Sequence, residues 1–145
     1  MGIISADKTN FEEWIALSLL LFPEHTDSEM RGYYTEILES EKEIGLLYEK
    51  DGKYIGYMNL SIRSDYVNGT DTSPVAFIEA IYVLPEYRKQ GIAREFVGYA
   101  EQFARQRGLR QLASDCLIEN QMSENFHKSC GFIEKERVIC FVKDV

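Results

Sequence analysis

The sequence predicts a mixed α/β domain with one β-α-β crossover, and three observations lead to this class. Residues 75–83 are apolar and β-branched, residues 84–91 form a short basic turn, and residues 92–107 are amphipathic, so strand, loop and helix follow in order. The dipeptide Asp51-Gly52 separates two strand-like runs, as in a tight antiparallel hairpin. Apolar residues at helical spacing mark two earlier helices.

The N-terminal half predicts one strand, two helices and the hairpin. Residues 3–6 are a short apolar strand, and the capping-box pattern of residues 9–12 starts the first helix. The second helix starts at Asp27 or Ser28. The hairpin strands are residues 44–48 and 54–62. The buried helix faces carry Phe11, Trp14, Ile15 and Leu19, then Met30, Tyr34, Ile37 and Leu38.

The C-terminal half completes the order β-α-α-β-β-β-α-β-α-β. Gly108 ends the amphipathic helix, residues 111–114 are a brief strand, and a last helix runs to Ser129. Residues 132–141 are rich in β-branched and aromatic side chains and predict a final strand. Because no linker interrupts the chain, residues 1–145 are interpreted as a single domain.

Composition excludes several functional classes. A net charge of −8 disfavours a nucleic-acid partner and suits a cationic ligand, although the same charge also serves solubility. The sequence has neither an apolar run long enough to span a membrane nor a secretory start, so we expect a cytoplasmic protein. Its three cysteines lack metal-site spacing, so we expect reduced thiols and no metal.

The basic turn before the long helix predicts a phosphate site. Small residues at a helix start leave backbone N–H groups open to an anion. The spacing around Gly91 matches neither the P-loop nor the dinucleotide-binding pattern. The pattern Arg88-x-x-Gly91-x-Ala93 instead resembles the acyl-CoA pyrophosphate loop of the GCN5-related N-acetyltransferases. Candidate ligands of acetyl-CoA in this loop are Arg88, Lys89, Gln90, Gly91, Ile92 and Ala93.

The resemblance extends along the chain and implies a largely antiparallel sheet flanked by helices. It places Glu79 as the acid that accepts the amine proton through water, and the Val83 N–H beside the thioester oxygen. His127 stands where the family commonly has a tyrosine that protonates the coenzyme thiolate, so this role passes to the imidazole or to water. A histidine four residues before the terminal Gly131 equally suits a helix-capping role. Asn120 stands at the pantetheine contact, and an asparagine there equally suits a helix cap.

Two segments narrow the resemblance. Residues 66–74 and 113–115 are similar to segments of the aminoglycoside 6′-N-acetyltransferases, antibiotic-resistance enzymes that acetylate polyamine sugars. This implies an aminoglycoside as the cationic substrate. The expected acceptor contacts are Tyr66, Glu79, Asp115 and Glu136. Family members of this size also commonly form homodimers, so we expect one here.

Two alternatives stay open. The first keeps the acetyl transfer and changes the acceptor to a polyamine or a protein amine. The second is a catalytically silent acyl-CoA-binding module, and the presence of Glu79 disfavours it. Direct transfer between the two substrates is expected rather than an acetyl-cysteine intermediate, because no activating base adjoins Cys116, Cys130 or Cys140 in the sequence.

Overall fold

The computed structural model describes residues 2–145, with five strands and four α-helices. The elements are β1 Gly2–Ser5, α1 Phe11–Leu21, α2 Asp27–Glu39, β2 Glu43–Lys50, β3 Lys53–Arg63, β4 Val75–Val83, α3 Ile92–Gln106, β5 Leu112–Ala113 and α4 Gln121–Ser129. A single 3-10 turn, Pro85–Tyr87, links β4 to the loop before α3. The predicted order of elements is confirmed up to α4.

The strands form one sheet in the order β1-β2-β3-β4-β5. The first three pairings are antiparallel, and only β4 and β5 run parallel, joined through α3. The predicted mixed sheet with one crossover is therefore confirmed. At the hairpin, Asp51 and Gly52 have φ angles of 52° and 77°, the positive values that this two-residue turn requires.

Helices cover both faces of the sheet. On one face, α3 buries Phe96, Val97 and Ala100 against β3 and β4. On the other face, α1 and α2 bury Trp14 and Tyr34 against β2 and β3. Burial of these apolar surfaces is the main force that fixes the layers.

Glycine at position 45 is required by the packing of α1. A Cβ atom built on Gly45 would lie 2.1 Å from the ring of Trp14, far inside van der Waals contact. The same indole donates through Nε1 to Oδ1 of buried Asn59 at 3.0 Å. The pair ties α1 to β3 beneath the cleft described below.

An irregularity in β4 sets the direction of the Glu79 side chain. Leu60 of β3 pairs with Ile78 and Asn59 pairs with Ala80, so Glu79 is an extra residue on β4. Such a β-bulge interrupts the alternation of side chains along a strand. Accordingly, Ile78 packs in the α3 core, whereas Ala80 packs in the α1–α2 core.

Two sequence predictions are wrong. Residues 9–12 do not form a capping box, because the N-cap of α1 is Asn10 without a side-chain cap bond; the capping box lies at α2, between Thr26 and Glu29. Residues 132–141 form no strand, and the segment becomes largely exposed toward its end, with Phe141 88% exposed. A strand needs a neighbour to satisfy its backbone, and this segment has none within residues 2–145.

Candidate active site

The parallel strands separate after a short pairing. Ala76 pairs with Leu112 and Phe77 with Ala113, and there the ladder ends while β4 continues to Val83. The rest of β4 is therefore paired with β3 on one side only. The opening on the other side runs past Glu79 toward the N-terminus of α3.

The backbone of Val83 faces this opening. Leu84 N–H donates to Ile55 C=O at 2.9 Å, and bonding alternates along an antiparallel pair, so Val83 directs its N–H and C=O away from β3. Arg88 Nε donates to the Val83 carbonyl at 2.8 Å on that side. The Val83 side chain is buried, so only its backbone is available for chemistry.

The loop before α3 has the backbone of an anion site. Gly91 is the N-cap with φ 84°, and no side chain caps the helix, so the first N–H groups of α3 have no intrahelical acceptor. Lys89 also has a positive φ of 62°. Residues in this conformation turn neighbouring N–H groups toward a common anion. A Cβ on Gly91 would meet nothing within 4 Å, so the loop is open.

Several side chains of the loop are held by contacts with other residues of the chain. Arg88 is held at Val83 and lies over the ring of Tyr82 at 5.4 Å. Gln90 accepts from Lys50 Nζ at 2.9 Å, which brings a hairpin cation to the loop that sequence reasoning missed. Ile92 is buried in the α3 core and offers only its backbone, and Ala93 packs partly against the same core.

Glu79 lines a cavity of about 400 Å³ between β4 and the first two helices. Its Oε1 accepts from Arg63 Nη2 at 2.7 Å, and its Oε2 accepts from Arg63 Nε at 2.8 Å and Ser61 Oγ at 2.5 Å. The cavity is lined by Phe22, His25, Glu29, Met30, Tyr33, Tyr34, Asn59, Glu79 and Ala80. Helices α1 and α2 thus supply much of the wall, which sequence reasoning did not predict.

The surroundings of Glu79 are acidic, and this is reflected in the pKa values of nearby Glu43 and of Tyr33, which lines the cavity. Burial and then the charge of Glu79 raise the pKa of Glu43. Burial, followed by the charges of Glu43 and Glu79, raises the pKa of Tyr33 to about 12, so its hydroxyl stays protonated near neutral pH. Because β2 and α2 were interpreted only as structural elements, nothing in the sequence pattern singled out Glu43 or Tyr33. The chain folds these groups around Glu79 from distant positions.

The other predicted acceptor contacts lie around the loop between β3 and β4. Tyr66 is 71% exposed and lines a second cavity together with Arg63. Glu136 accepts from Asn68 Nδ2 at 3.0 Å, which brings the C-terminal segment to this loop. Asp115 is exposed, and its charge helps to raise the pKa of Arg63 after the larger effect of Glu79. The structure thus places Tyr66 and Glu136 at this loop and Asp115 near Arg63, whereas Glu79 lines the other cavity.

His127 contacts the cleft through another residue. Its Nδ1 lies 2.7 Å from the Ser123 carbonyl, which can only accept, so Nδ1 carries a proton. Its Nε2 lies 2.8 Å from Ser114 Oγ at the end of β5. Asn120 caps α4 by accepting from Ser123 N–H at 3.1 Å, so the capping interpretation of Asn120 accounts for its side chain here.

The remaining groups give no sign of metal chemistry within residues 2–145. No cluster of three or more His, Cys, Asp or Glu side chains in this range is placed to hold a metal ion. Cys116, Cys130 and Cys140 are free thiols. Among the helices of residues 2–145, none combines the length and apolar character needed to cross a bilayer.

The fold and the site together define the class of protein. A sheet split between its parallel strands, an uncapped helix start beside the split and an acid on a bulge are all present in one chain. The acetyltransferase (GNAT) family model matches residues 11–132. This chain belongs to that acetyltransferase family, as its phosphate loop had indicated.

Proteins with similar sequences are named for one enzyme activity. The aminoglycoside N(6′)-acetyltransferase type 1 of Acinetobacter baumannii is 40% identical over 145 residues, covering 100% of this chain and 99% of that protein. The Salmonella enteritidis enzyme of the same name is 39% identical over 143 residues, covering 99% of each.

Solved structures of similar proteins agree with this. AAC(6′)-Iy bound to the bisubstrate analog CoA-S-monomethyl-acetylneamine has a TM-score of 0.94 and 38% identity, covering 99% of this chain and 97% of that one. The 6′-N-acetyltransferase AAC(6′)-Ih from Acinetobacter baumannii has a TM-score of 0.92 and 40% identity with the same coverage. The predicted fold and family are both confirmed.

Proposed function

We propose that this chain is an acetyl-CoA-dependent aminoglycoside 6′-N-acetyltransferase, with antibiotic resistance as its consequence for the host. One observation supports the proposal most directly. The end of β4, which is hydrogen-bonded to β3 only, lies next to the acidic cavity that Glu79 lines. Backbone groups suited to a thioester and carboxylates suited to a polycation thereby border the same space. The relatives named above support the choice of acceptor.

The residues present fit acetyl-CoA. The uncapped N–H groups from Gly91 onward suit its pyrophosphate, and the Lys89 and Lys50 ammonium groups add positive charge near them. The free side of β4 suits the extended pantetheine arm, because an unpaired strand edge offers both donors and acceptors. When bound, acetyl-CoA supplies the activated acetyl group.

Within this arrangement we assign each chemical task to a residue. Glu79 accepts the proton that the acceptor amine loses on attack, through an intervening water. The Val83 N–H donates to the oxygen of the reacting carbonyl. Ser114, backed by His127, faces the departing thiolate. Tyr66, Asp115 and Glu136 hold the other rings of the acceptor.

Protons balance in this scheme. The amine proton leaves toward Glu79, and the thiolate receives one from the Ser114 hydroxyl, which is replenished from Nε2 of the His127 imidazolium. Transfer is direct, since a free cysteine is not needed as an acyl carrier. This assignment makes the chain independent of any metal.

We also infer the assembly, extent and location of the protein. Residues 138–142 are apolar throughout and largely exposed, which supports a homodimer in which this segment packs on a second copy. The shared core of the sheet and α3 supports one domain over residues 1–145. The cytoplasm is the proposed location, because acetyl-CoA is available there.

The proposal is tested by a free-thiol assay with acetyl-CoA and three acceptors: kanamycin, spermidine and a lysine peptide. We expect turnover with kanamycin, and acetylation at the 6′-amine in the product by NMR. Turnover only with spermidine or the peptide would move the function to another acceptor. Binding of CoA without any turnover would favour the silent module.

Two variants locate the chemistry. Glu79→Gln is expected to lower kcat by roughly 100-fold, the low end of general-base effects, with CoA affinity nearly unchanged. The matched control is Glu101→Gln, an exposed α3 carboxylate paired with Arg105, which should leave both quantities unaltered. An equal response of the two variants would remove Glu79 from the mechanism.

A further inference from the structure

Glu79 is already neutralised by a cation of its own chain. Arg63 binds both carboxylate oxygens, at 2.7 and 2.8 Å, and Ser61 adds a third hydrogen bond at 2.5 Å. Bidentate pairs of guanidinium and carboxylate are among the stronger polar contacts in proteins. An acceptor ammonium group that approaches Glu79 therefore meets an occupied site.

Arg63 covers Glu79 on the solvent side. The Arg63 side chain is 41% exposed and the Glu79 side chain only 20%, so the guanidinium is the outer member of the pair. Its guanidinium carbon lies 3.6 Å from the centre of the Phe77 ring. The residue also lines the second cavity, beside Asp65 and Tyr66. Arg63 thus stands between the two cavities, with space and another carboxylate on its far side.

The surroundings of the pair contain further acids. Glu43 feels the charges of both Glu79 and Arg63, and Arg63 in turn feels the charge of Asp115. Glu29 lies on the wall of the Glu79 cavity. A ligand with a single positive charge replaces the Arg63 pair with a weaker one, because an ammonium has no fork of parallel donors. A ligand with several charges also pairs with the neighbouring acids and offsets that loss.

We propose that Arg63 is a resident counter-ion that the acceptor amine displaces from Glu79, so that the binding of every acceptor includes the cost of breaking this pair. This inference rests on the proposed function only in taking Glu79 as the residue that meets the reacting amine. A monoamine has only Glu79 to recover that cost, whereas a polyamine also pairs with the neighbouring acids. The displaced Arg63 guanidinium turns toward Asp65 and Asp115.

The test compares a polyamine with a monoamine of the same ring type. Kanamycin and 6-amino-6-deoxyglucose are assayed with the wild type, Arg63→Met and Arg63→Lys. Methionine keeps an apolar stem on Phe77 and removes the charge. The matched control is Arg105→Met, which changes net charge equally at an exposed α3 residue. Arg63→Gln serves as a second uncharged variant should the methionine variant be unstable.

For Arg63→Met we expect KM for both acceptors to fall about tenfold, the size of effect that one charge-assisted pair produces, because neither has to break the Arg63–Glu79 pair any longer. Arg63→Lys should lower both KM values less, since a lysine still offers a counter-ion to Glu79. Arg105→Met should leave both KM values unchanged.

A different result would overturn the proposal. If Arg63→Met raises KM for both acceptors and lowers kcat with a changed pH profile, Arg63 instead positions Glu79 for catalysis. If the wild type acetylates no aminoglycoside, the proposed function fails, and affinities of the two amines measured by calorimetry still decide the role of Arg63. Unchanged monoamine affinity in Arg63→Met would then reject displacement.

Discussion

The imidazole Nε2 of His127 lies 2.8 Å from Oγ of Ser114, where β5 ends at the mouth of the cleft. Because Nδ1 of the same ring is bonded to the Ser123 carbonyl, Nε2 is the nitrogen that exchanges protons with the serine. In the proposed mechanism, a proton from this histidine reaches the cleft through the Ser114 hydroxyl group. The two side chains form one unit.

The contact between His127 and Ser114 predicts that substitution of either residue lowers kcat to a similar extent. Ser114→Ala and His127→Gln should each lower kcat by roughly tenfold, below the usual range for general-acid loss because water substitutes in part. The double variant should be no slower than either single one, since residues that act as a unit are not additive. Rates are measured by thiol release with saturating substrates. Losses that multiply in the double variant would show two separate roles.

The backbone conformation of Gly91 predicts a separable effect on the cofactor. Gly91→Ala places a side chain at φ 84°, a left-handed conformation that costs about 1–2 kcal/mol of folding free energy. Gly108→Ala at the other end of α3 is the control, since its φ is 69° and a Cβ there also meets nothing within 4 Å.

Urea unfolding of these variants should give similar losses of stability. Calorimetry should then show weaker CoA binding for Gly91→Ala alone, because only that change shifts the N–H groups of the phosphate loop. Equal CoA affinities in the two variants would place the pyrophosphate elsewhere. The comparison separates backbone strain from ligand binding.

The raised pKa of Glu43 predicts a dependence of stability on pH. Burial and the charge of Glu79 raise this pKa above 4.5, so folding favours the protonated form. The carboxyl group costs no stability while it is protonated in both states, and lowers stability as the pH rises from 4.5 through its folded pKa. Glu43→Gln should therefore stabilise the protein at pH 7 and have little effect at pH 4.

Urea titrations at the two pH values test this, with exposed Glu13→Gln of α1 as the control. The same Glu43→Gln variant should bind kanamycin less tightly at pH 7, since one negative charge near Glu79 is lost. A stabilised variant with unaltered affinity would show that Glu43 lies outside the acceptor site. A variant without any gain in stability would contradict the assignment of a raised pKa.

The exposed C-terminal segment predicts a dimer that depends on it. Phe141 is 88% and Val142 91% exposed, and a run of consecutive apolar residues is typical of a strand covered on both faces. Phe141→Asp should convert a dimer to a monomer in light scattering, because a buried unpaired charge opposes association. Leu20→Asp, at a leucine 56% exposed on α1, is the control and should remain dimeric. A monomeric wild type would refute the dimer.

Several elements followed from local sequence alone. Asp51-Gly52 determined the hairpin through its positive φ angles. The span 75–83 of β4 was predicted as observed, because a short run of apolar and β-branched residues is typical of a buried strand. The Gly91 pattern located the start of α3 and predicted a phosphate loop there. Each of these depends on interactions among residues close together in the chain.

The C-terminal segment shows where local pattern is insufficient. Residues 132–141 have strand composition, yet β structure requires hydrogen bonds to another strand, and no neighbour is available within residues 2–145. The capping of α1 is similar: Asn10 instead donates to the Ser5 carbonyl at 3.2 Å, a contact set by the position of β1. In both cases the local sequence indicated a structural preference, and the structure that formed depended on contacts with residues elsewhere in the chain.

For the candidate site, the sequence by itself determined the family and predicted the phosphate loop and the acid at position 79, because these lie in one continuous motif. Only the tertiary structure decided that Glu79 points from a bulge into a cavity lined by Tyr33, that Glu43 lies near it, and that Arg63 neutralises it. These relationships join residues far apart in the chain. Charges interact through space, so their effects depend on distances that only the folded backbone establishes.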